Sequence, residues 1–106
     1  MIECVYGYLV PVWVRNVEYY ENIILYNKSV VLIESVIAEN KYNNKMLKRL
    51  LASQLGRLSW YYLFVNDPRQ SLIVAEKGLK LSPEQLWIKG NRAHANFFLG
   101  NYKEAL

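Results

Sequence analysis

Apolar residues recur at steps of three and four through the middle of the chain. Leu47, Leu51, Leu55, Leu58, Tyr62 and Val65 form one such series, about five helical turns long. Asn66-Asp67-Pro68 interrupts it. A proline disfavours helix at the residue before it and suits the first turn of the helix it opens. Asp67 is then the expected cap of a second helix, which carries Leu72, Ala75 and Leu79 on one face. Ser82-Pro83-Glu84-Gln85 repeats the order of cap, proline and acid, so a third helix is predicted from Pro83 or Glu84 to Leu99. Gly100-Asn101 closes it. Tyr102 to Leu106 opens one more helix, a single turn long where the sequence stops. One turn is not stable alone, so further sequence is expected beyond it.

The N-terminal half is patterned less clearly. Val5 to Val14 is rich in β-branched and aromatic residues, but Gly7 and Pro11 interrupt it. Residues 1–11 are read as an irregular arm, with an extended arm, a short edge strand and a poor helix start all open. Residues 12–26 fit a helix with Trp13, Val17, Tyr20, Ile24 and Asn27 along one side and Ile23 beside them. Asn27-Lys28-Ser29 reads as a turn. Residues 30–40 read as a second helix with Val30, Ile33, Val36 and Ile37 inward. Asn40 to Asn44 is a polar break before the long helix that starts near Lys45.

Composition sharpens this picture. Hydrophobic residues make up 53% of the 106-residue chain, with nine Tyr and three Trp, which is too apolar for a disordered segment. It is also rich for one small domain, so aromatic surface is expected to face a neighbour or a groove. The net charge is +4, and Lys41, Lys45, Lys48 and Arg49 form the one local basic cluster. No Arg-aromatic interleaving accompanies it, so a solvated helix start is favoured over a nucleic-acid footprint. No run approaches 18 apolar residues, and no membrane span is expected. The single Cys4 closes no internal disulfide. With no ordinary secretory signal, the expected location is cytoplasmic.

Candidate chemistry is sparse. His94 is the only histidine, and no carboxylate stands three or four residues from it. No metal-ligand spacing and no glycine-rich phosphate loop occurs. Asp67 is the only aspartate and is claimed as a cap. No catalytic residue, metal or cofactor is predicted, and the chain is read as a non-enzyme.

Sliding the C-terminal stretch back by 34 residues sets Ser59 on Ala93, Tyr62 on Asn96, Asn66-Asp67 on Gly100-Asn101 and Ser71-Leu72 on Ala105-Leu106. That period, with a helix-turn-helix unit, is the length of a tetratricopeptide repeat. Over residues 52–106 the chain resembles this family, most of all its bacterial members. Leu55, Leu58, Ser59 and Tyr62 stand in the first helix's places for a large residue, a Leu, a small residue and a Tyr. Ser71, Ala75, Gly78 and Pro83 stand in the following places for a small residue, a bulky one, another small one and a proline, with Ala75 smaller than the pattern's aromatic. Ala93, Gly100, Tyr102 and Ala105 fit the next unit, while Lys89, Arg92 and Asn96 depart from its large, Leu and Tyr places.

The resemblance implies an all-α fold of antiparallel helix pairs stacked as a short right-handed solenoid. Its expected parts are the arm over 1–11, a degenerate helical pair over 12–44, a repeat unit with a long first helix over 45–82, and a second unit over 83–106 truncated in its second helix. First helices line the concave surface in this family. The implied groove positions are Ser53, Gly56, Trp60, Leu63 and Phe64, then Trp87, Gly90, His94, Phe97 and Phe98. Phe97 and Phe98 are adjacent, so at least one is expected in the core. The partner-binding residues are taken as Trp60, Leu63, Phe64, Trp87, Asn91, His94 and Phe97. The expected function is a scaffold that holds a protein, as a peptide or helix, in an aromatic groove. The alternative is a structural or self-assembly module, a homodimer. A basic nucleic-acid-binding domain is the poorest reading.

Overall fold

Among the described residues, two short strands precede four helices. The computed structural model describes residues 2–5, 8–39 and 45–101. The strands β1 (Ile2–Val5) and β2 (Tyr8–Pro11) pair antiparallel, with Ile2 opposite Pro11 and Val5 opposite Tyr8. The arm is therefore a hairpin rather than irregular chain. Pro11, which lacks a ladder donor, stands at the last residue of β2, where its cost is small. The helices are α1 (Val12–Glu39), α2 (Lys45–Phe64), α3 (Pro68–Leu81) and α4 (Leu86–Phe98). The predicted polar break at Asn40–Asn44, Lys41 of the basic cluster and the helix start at Tyr102–Leu106 lie outside the described residues.

The N-terminal half departs from the sequence reading. Asn27-Lys28-Ser29 makes no turn, and residues 12–39 are one 28-residue helix rather than a helical pair. Asn and Ser favour turns only by offering side-chain bonds that compete with the helix. Here Asn27 turns its Nδ2 back to the Ile23 carbonyl at 3.0 Å, inside the helix. The buried side also differs. Tyr19, Ile23, Tyr26, Val30, Ile33 and Ile37, spaced alternately by four and three, face α2, while Val17, Tyr20, Ile24 and Val36 are exposed. Both series have helical spacing, because α1 carries apolar residues on more than one side. The face that won is the one whose aromatics meet α2.

That contact is a chain of rings. Tyr19 stacks on Phe64 with centroids 4.8 Å apart, and Tyr26 stacks on Tyr61 at 5.5 Å. Tyr19 also meets Tyr61 at 6.0 Å, and Trp60 stands edge-on to Phe64 at 4.9 Å. Early residues of α1 meet late residues of α2, so the two helices run antiparallel.

The helix α2 packs on each of the other three helices. Leu51, Leu55 and Leu58 are buried, as their spacing predicts. The α2–α3 turn is the predicted one. Asn66 adopts the left-handed φ of 60°, Asp67 N–H donates to the Tyr62 carbonyl and Asn66 N–H to that of Leu63. This pattern is a Schellman closure of the helix end. The Asp67 carboxylate then accepts from Gln70 N–H and caps α3, with Pro68 behind it.

The end of α4 repeats this turn 34 residues later. Gly100 takes the left-handed φ of 83°, Asn101 N–H donates to the Asn96 carbonyl and Gly100 N–H to that of Phe97. The start of α4 is later than predicted. Ser82 does not cap it. Gln85 N–H closes a turn on the Ser82 carbonyl, and the helix begins at Leu86. The Ser82 hydroxyl instead donates to the Glu84 carboxylate.

Ile88 is fully buried against Ala75 and Leu79, which couples α4 to α3. We expect Ile88→Ala to cost about 2–5 kcal/mol through the cavity it leaves. Asp67→Ala loses one cap bond and should cost ~1 kcal/mol. Urea unfolding followed by circular dichroism checks both. Equal losses would contradict the roles assigned here.

Candidate functional site

Small residues on α2 decide where the aromatic surface lies. Gly56 and Ser59 are buried where α3 and α4 close on α2. A Cβ at Gly56 would lie 2.4 Å from the Trp87 ring and 2.9 Å from Ile88, so Trp87 rests directly on the α2 backbone. Ser71 of α3 donates its hydroxyl to the Ser59 carbonyl at 2.7 Å. Asn91 of α4 donates through Nδ2 to the Gly56 carbonyl and the Ser59 hydroxyl, each at 3.0 Å. Ser59 itself donates to the Gly56 carbonyl at 2.8 Å. Four residues from three helices thus satisfy one another where water is excluded.

Gln85 secures the other end of the α2–α4 contact. Its Nε2 donates to the Arg49 carbonyl at 3.2 Å, and its Oε1 accepts from the Ser53 hydroxyl at 2.9 Å and the Trp87 indole at 3.3 Å. These pairings show α2 and α4 running in the same direction. The Trp87 ring is therefore held at its nitrogen by Gln85 and at its far edge by Gly56.

A cleft of about 320 Å³ results, lined by Tyr26, Arg57, Trp60, Tyr61, Trp87 and Asn91. Trp60 is 43% exposed and Trp87 45% exposed. Three of the predicted binding residues, Trp60, Trp87 and Asn91, meet here. Asn91 is nearly buried, and its amide nitrogen is committed within the protein. Leu63, Phe64, His94 and Phe97 are not among the lining residues. Phe64 is drawn into the stack with Tyr19, and His94 is exposed on α4. Phe97 and Phe98 are both exposed, and their rings meet edge-on at 5.8 Å. The expectation that one is core fails because Ala95 and Asn96 occupy the inward side of that turn. Gln85, Tyr26 and Tyr61 were missed. Gln85 stands in a cap signature that explained it away, and the tyrosines become cleft residues only through the α1–α2 contact.

The basic cluster sits elsewhere. Lys45, Lys48 and Arg49 line an open depression of about 560 Å³ together with Glu84. The Ser82 hydroxyl bond, the Glu84 backbone N–H, and then Arg49 and Lys45 hold the Glu84 carboxyl below its ordinary value. An ionised carboxylate among these cations opposes a second polyanion there. Among the described residues, no three His, Cys, Asp or Glu side chains are grouped to hold a metal, and no helix is long and apolar enough to cross a membrane.

Two glycines separate the packing role from helix propensity. Gly56→Ala must displace Trp87 and Ile88, so it should destabilise by about 1–3 kcal/mol as an overpacked site and alter the tryptophan emission. Gly90 has open space where its Cβ would be. Gly90→Ala should stabilise by ~0.5–1 kcal/mol and leave the emission unchanged. Thermal unfolding with fluorescence detection reads both, and stabilisation by Gly56→Ala would contradict the close approach.

A scan of protein-family models and searches of curated proteins and of solved structures find nothing that matches this chain.

Proposed function

We propose that this chain is a non-catalytic protein-interaction scaffold that binds a peptide or helix in the aromatic cleft between α1, α2 and α4. The observation that carries the reading is the cleft itself. Trp60 and Trp87 stand about half exposed on either side of it, and Trp87 is fixed by Gln85 and Gly56. Rings held in place lose little entropy on binding, and buried apolar area is the main term they offer. At about 320 Å³ the cleft takes one or two large side chains rather than a whole small ligand. Arg57 at its wall adds a planar fork of donors. The best ligand is therefore a segment with an apolar anchor and a nearby carboxylate.

A tetratricopeptide-type solenoid is the architecture we propose for the helices. Several features support it. The pairs α1–α2, α2–α3 and α3–α4 are antiparallel, α2 and α4 are parallel, and the same turn closes α2 and α4 after 34 residues. Small residues Ser59, Ser71 and Gly78 lie buried where helices approach. In this architecture α1 occupies the place of a preceding second helix, and the cleft lies on the concave side.

The test is selection from a displayed peptide library, with affinities measured by titration calorimetry. Selected peptides should carry an aromatic or long aliphatic residue and an acid. Trp60→Ala and Trp87→Ala should each weaken them by about tenfold or more, a hot-spot effect of at least 1.4 kcal/mol. Binders indifferent to both changes would sink the reading.

A further inference from the structure

We infer that the outer face of α1 pairs with the same face of a second copy of this chain, antiparallel across a two-fold axis near Ile24 and Leu25. The side of α1 turned away from α2 carries Val17, Tyr20, Ile24, Leu25, Val31 and Leu32, whose exposures run from 49% at Val17 to 66% at Leu32. A helix with apolar residues on two opposite sides calls for a neighbour on each, and of the described helices α2 packs against the Tyr19-Ile23-Tyr26-Val30 side. A stable contact between two copies buries roughly 1,200–2,000 Å² in total, and these half- to two-thirds-exposed side chains are the apolar part that α1 brings to it. The helix is about 42 Å long, enough for several turns of contact on each side of the axis.

Charge selects a second copy as the occupant and fixes its direction. Glu21 and Lys28 are exposed on this same face, on either side of Ile24 and Leu25. An antiparallel two-fold at that point sets Glu21 of one copy beside Lys28 of the other, and the reverse. It also sets Ile24 against Leu25, and Val17 against Leu32. A parallel, in-register pair would oppose Glu21 to Glu21 and Lys28 to Lys28. An isologous contact must be self-complementary, and this face meets that condition in one direction. A shallow, open depression lined by Glu21, Ile24 and Leu25 lies at the proposed axis.

Mass against concentration by analytical ultracentrifugation tests this on the full chain. The wild type should dimerise. Glu21→Lys and Lys28→Glu each put like charges together at both ends of the contact, and each should weaken the dimer by about tenfold or more. Mixing the two variants restores both pairings, so the mixture should form a heterodimer tighter than either homodimer. Both residues are exposed, and unchanged circular dichroism would exclude loss of fold. A wild type monomeric at every concentration overturns the inference and leaves the face to a different chain. Single variants that dimerise as well as wild type, or a mixture with no gain, overturn the antiparallel register. The cleft is a separate reading: Trp60→Ala and Trp87→Ala should leave the dimer intact. A dimer lost on those changes would place self-association in the cleft and overturn the α1 contact.

Discussion

The close approach of three helices at Gly56 and Ser59 is the constraint on which the rest depends. Helix backbones meet at this distance only where side chains are small, and a buried backbone carbonyl needs donors from its neighbours. Ser71 and Asn91 supply hydrogen bonds from α3 and α4, while the absence of a Cβ at Gly56 lets the Trp87 ring lie on α2. The polar contacts and the packing require each other. Without the small residues the helices stand too far apart for Asn91 to reach. Without Asn91 and Ser71, the Ser59 hydroxyl and nearby carbonyls lose partners at a place that excludes water. Ile88 and Gly78 extend the same contact along α3, where a Cβ at Gly78 would lie 3.2 Å from the Ala52 carbonyl.

The opposite side of α2 follows different chemistry. Its contact with α1 uses large rings, from Tyr19 and Tyr26 to Tyr61 and Phe64. Rings, rather than small residues, fill that contact. The cleft forms where the two regimes meet. Trp60 and Tyr61 come from the ring-packed side, and Trp87 and Asn91 from the tightly packed side. The aromatic surface lies where these two kinds of contact adjoin and leave Trp60 and Trp87 about half exposed.

The spacing of residues 45–101 made most of the C-terminal helices legible. The Leu51-Leu55-Leu58 stripe, the Asp67 cap and the turns at Asn66 and Gly100 all follow from local chemistry, and the 34-residue period reappears in paired hydrogen bonds. The start of α4 was misplaced because Ser82 and Pro83 satisfy the helix-start pattern while Gln85 is recruited by α2, a contact with no local signature. The N-terminal half was harder for another reason. Periodicity locates a helix face only when the other faces are polar, and α1 offers apolar residues in several directions. Its buried stripe was decided by Tyr61 and Phe64, far away in sequence. Of the cleft residues, Trp60 and Trp87 were legible through the groove places that the repeat resemblance implies. The stacking that draws Phe64 away from the cleft was not, because its partner Tyr19 belongs to a helix whose phase could not be read.

The two apolar faces of α1 connect these features. Tyr26 lines the cleft, and Leu25, the residue before it, belongs to the outer face. A helix turns about 100° per residue, so neighbouring residues can serve different surfaces while sharing one rigid backbone. Two copies joined through their outer faces would carry two clefts at a separation set by folded helices rather than by a flexible linker. A partner with two matching segments would then bind the second at a fixed effective concentration, and modest affinity at each cleft would become appreciable avidity where the spacing fits. The shallow cleft of about 320 Å³ makes this consequential. One anchored side chain gives weak binding, and selectivity would come from the geometry of the pair as much as from the rings.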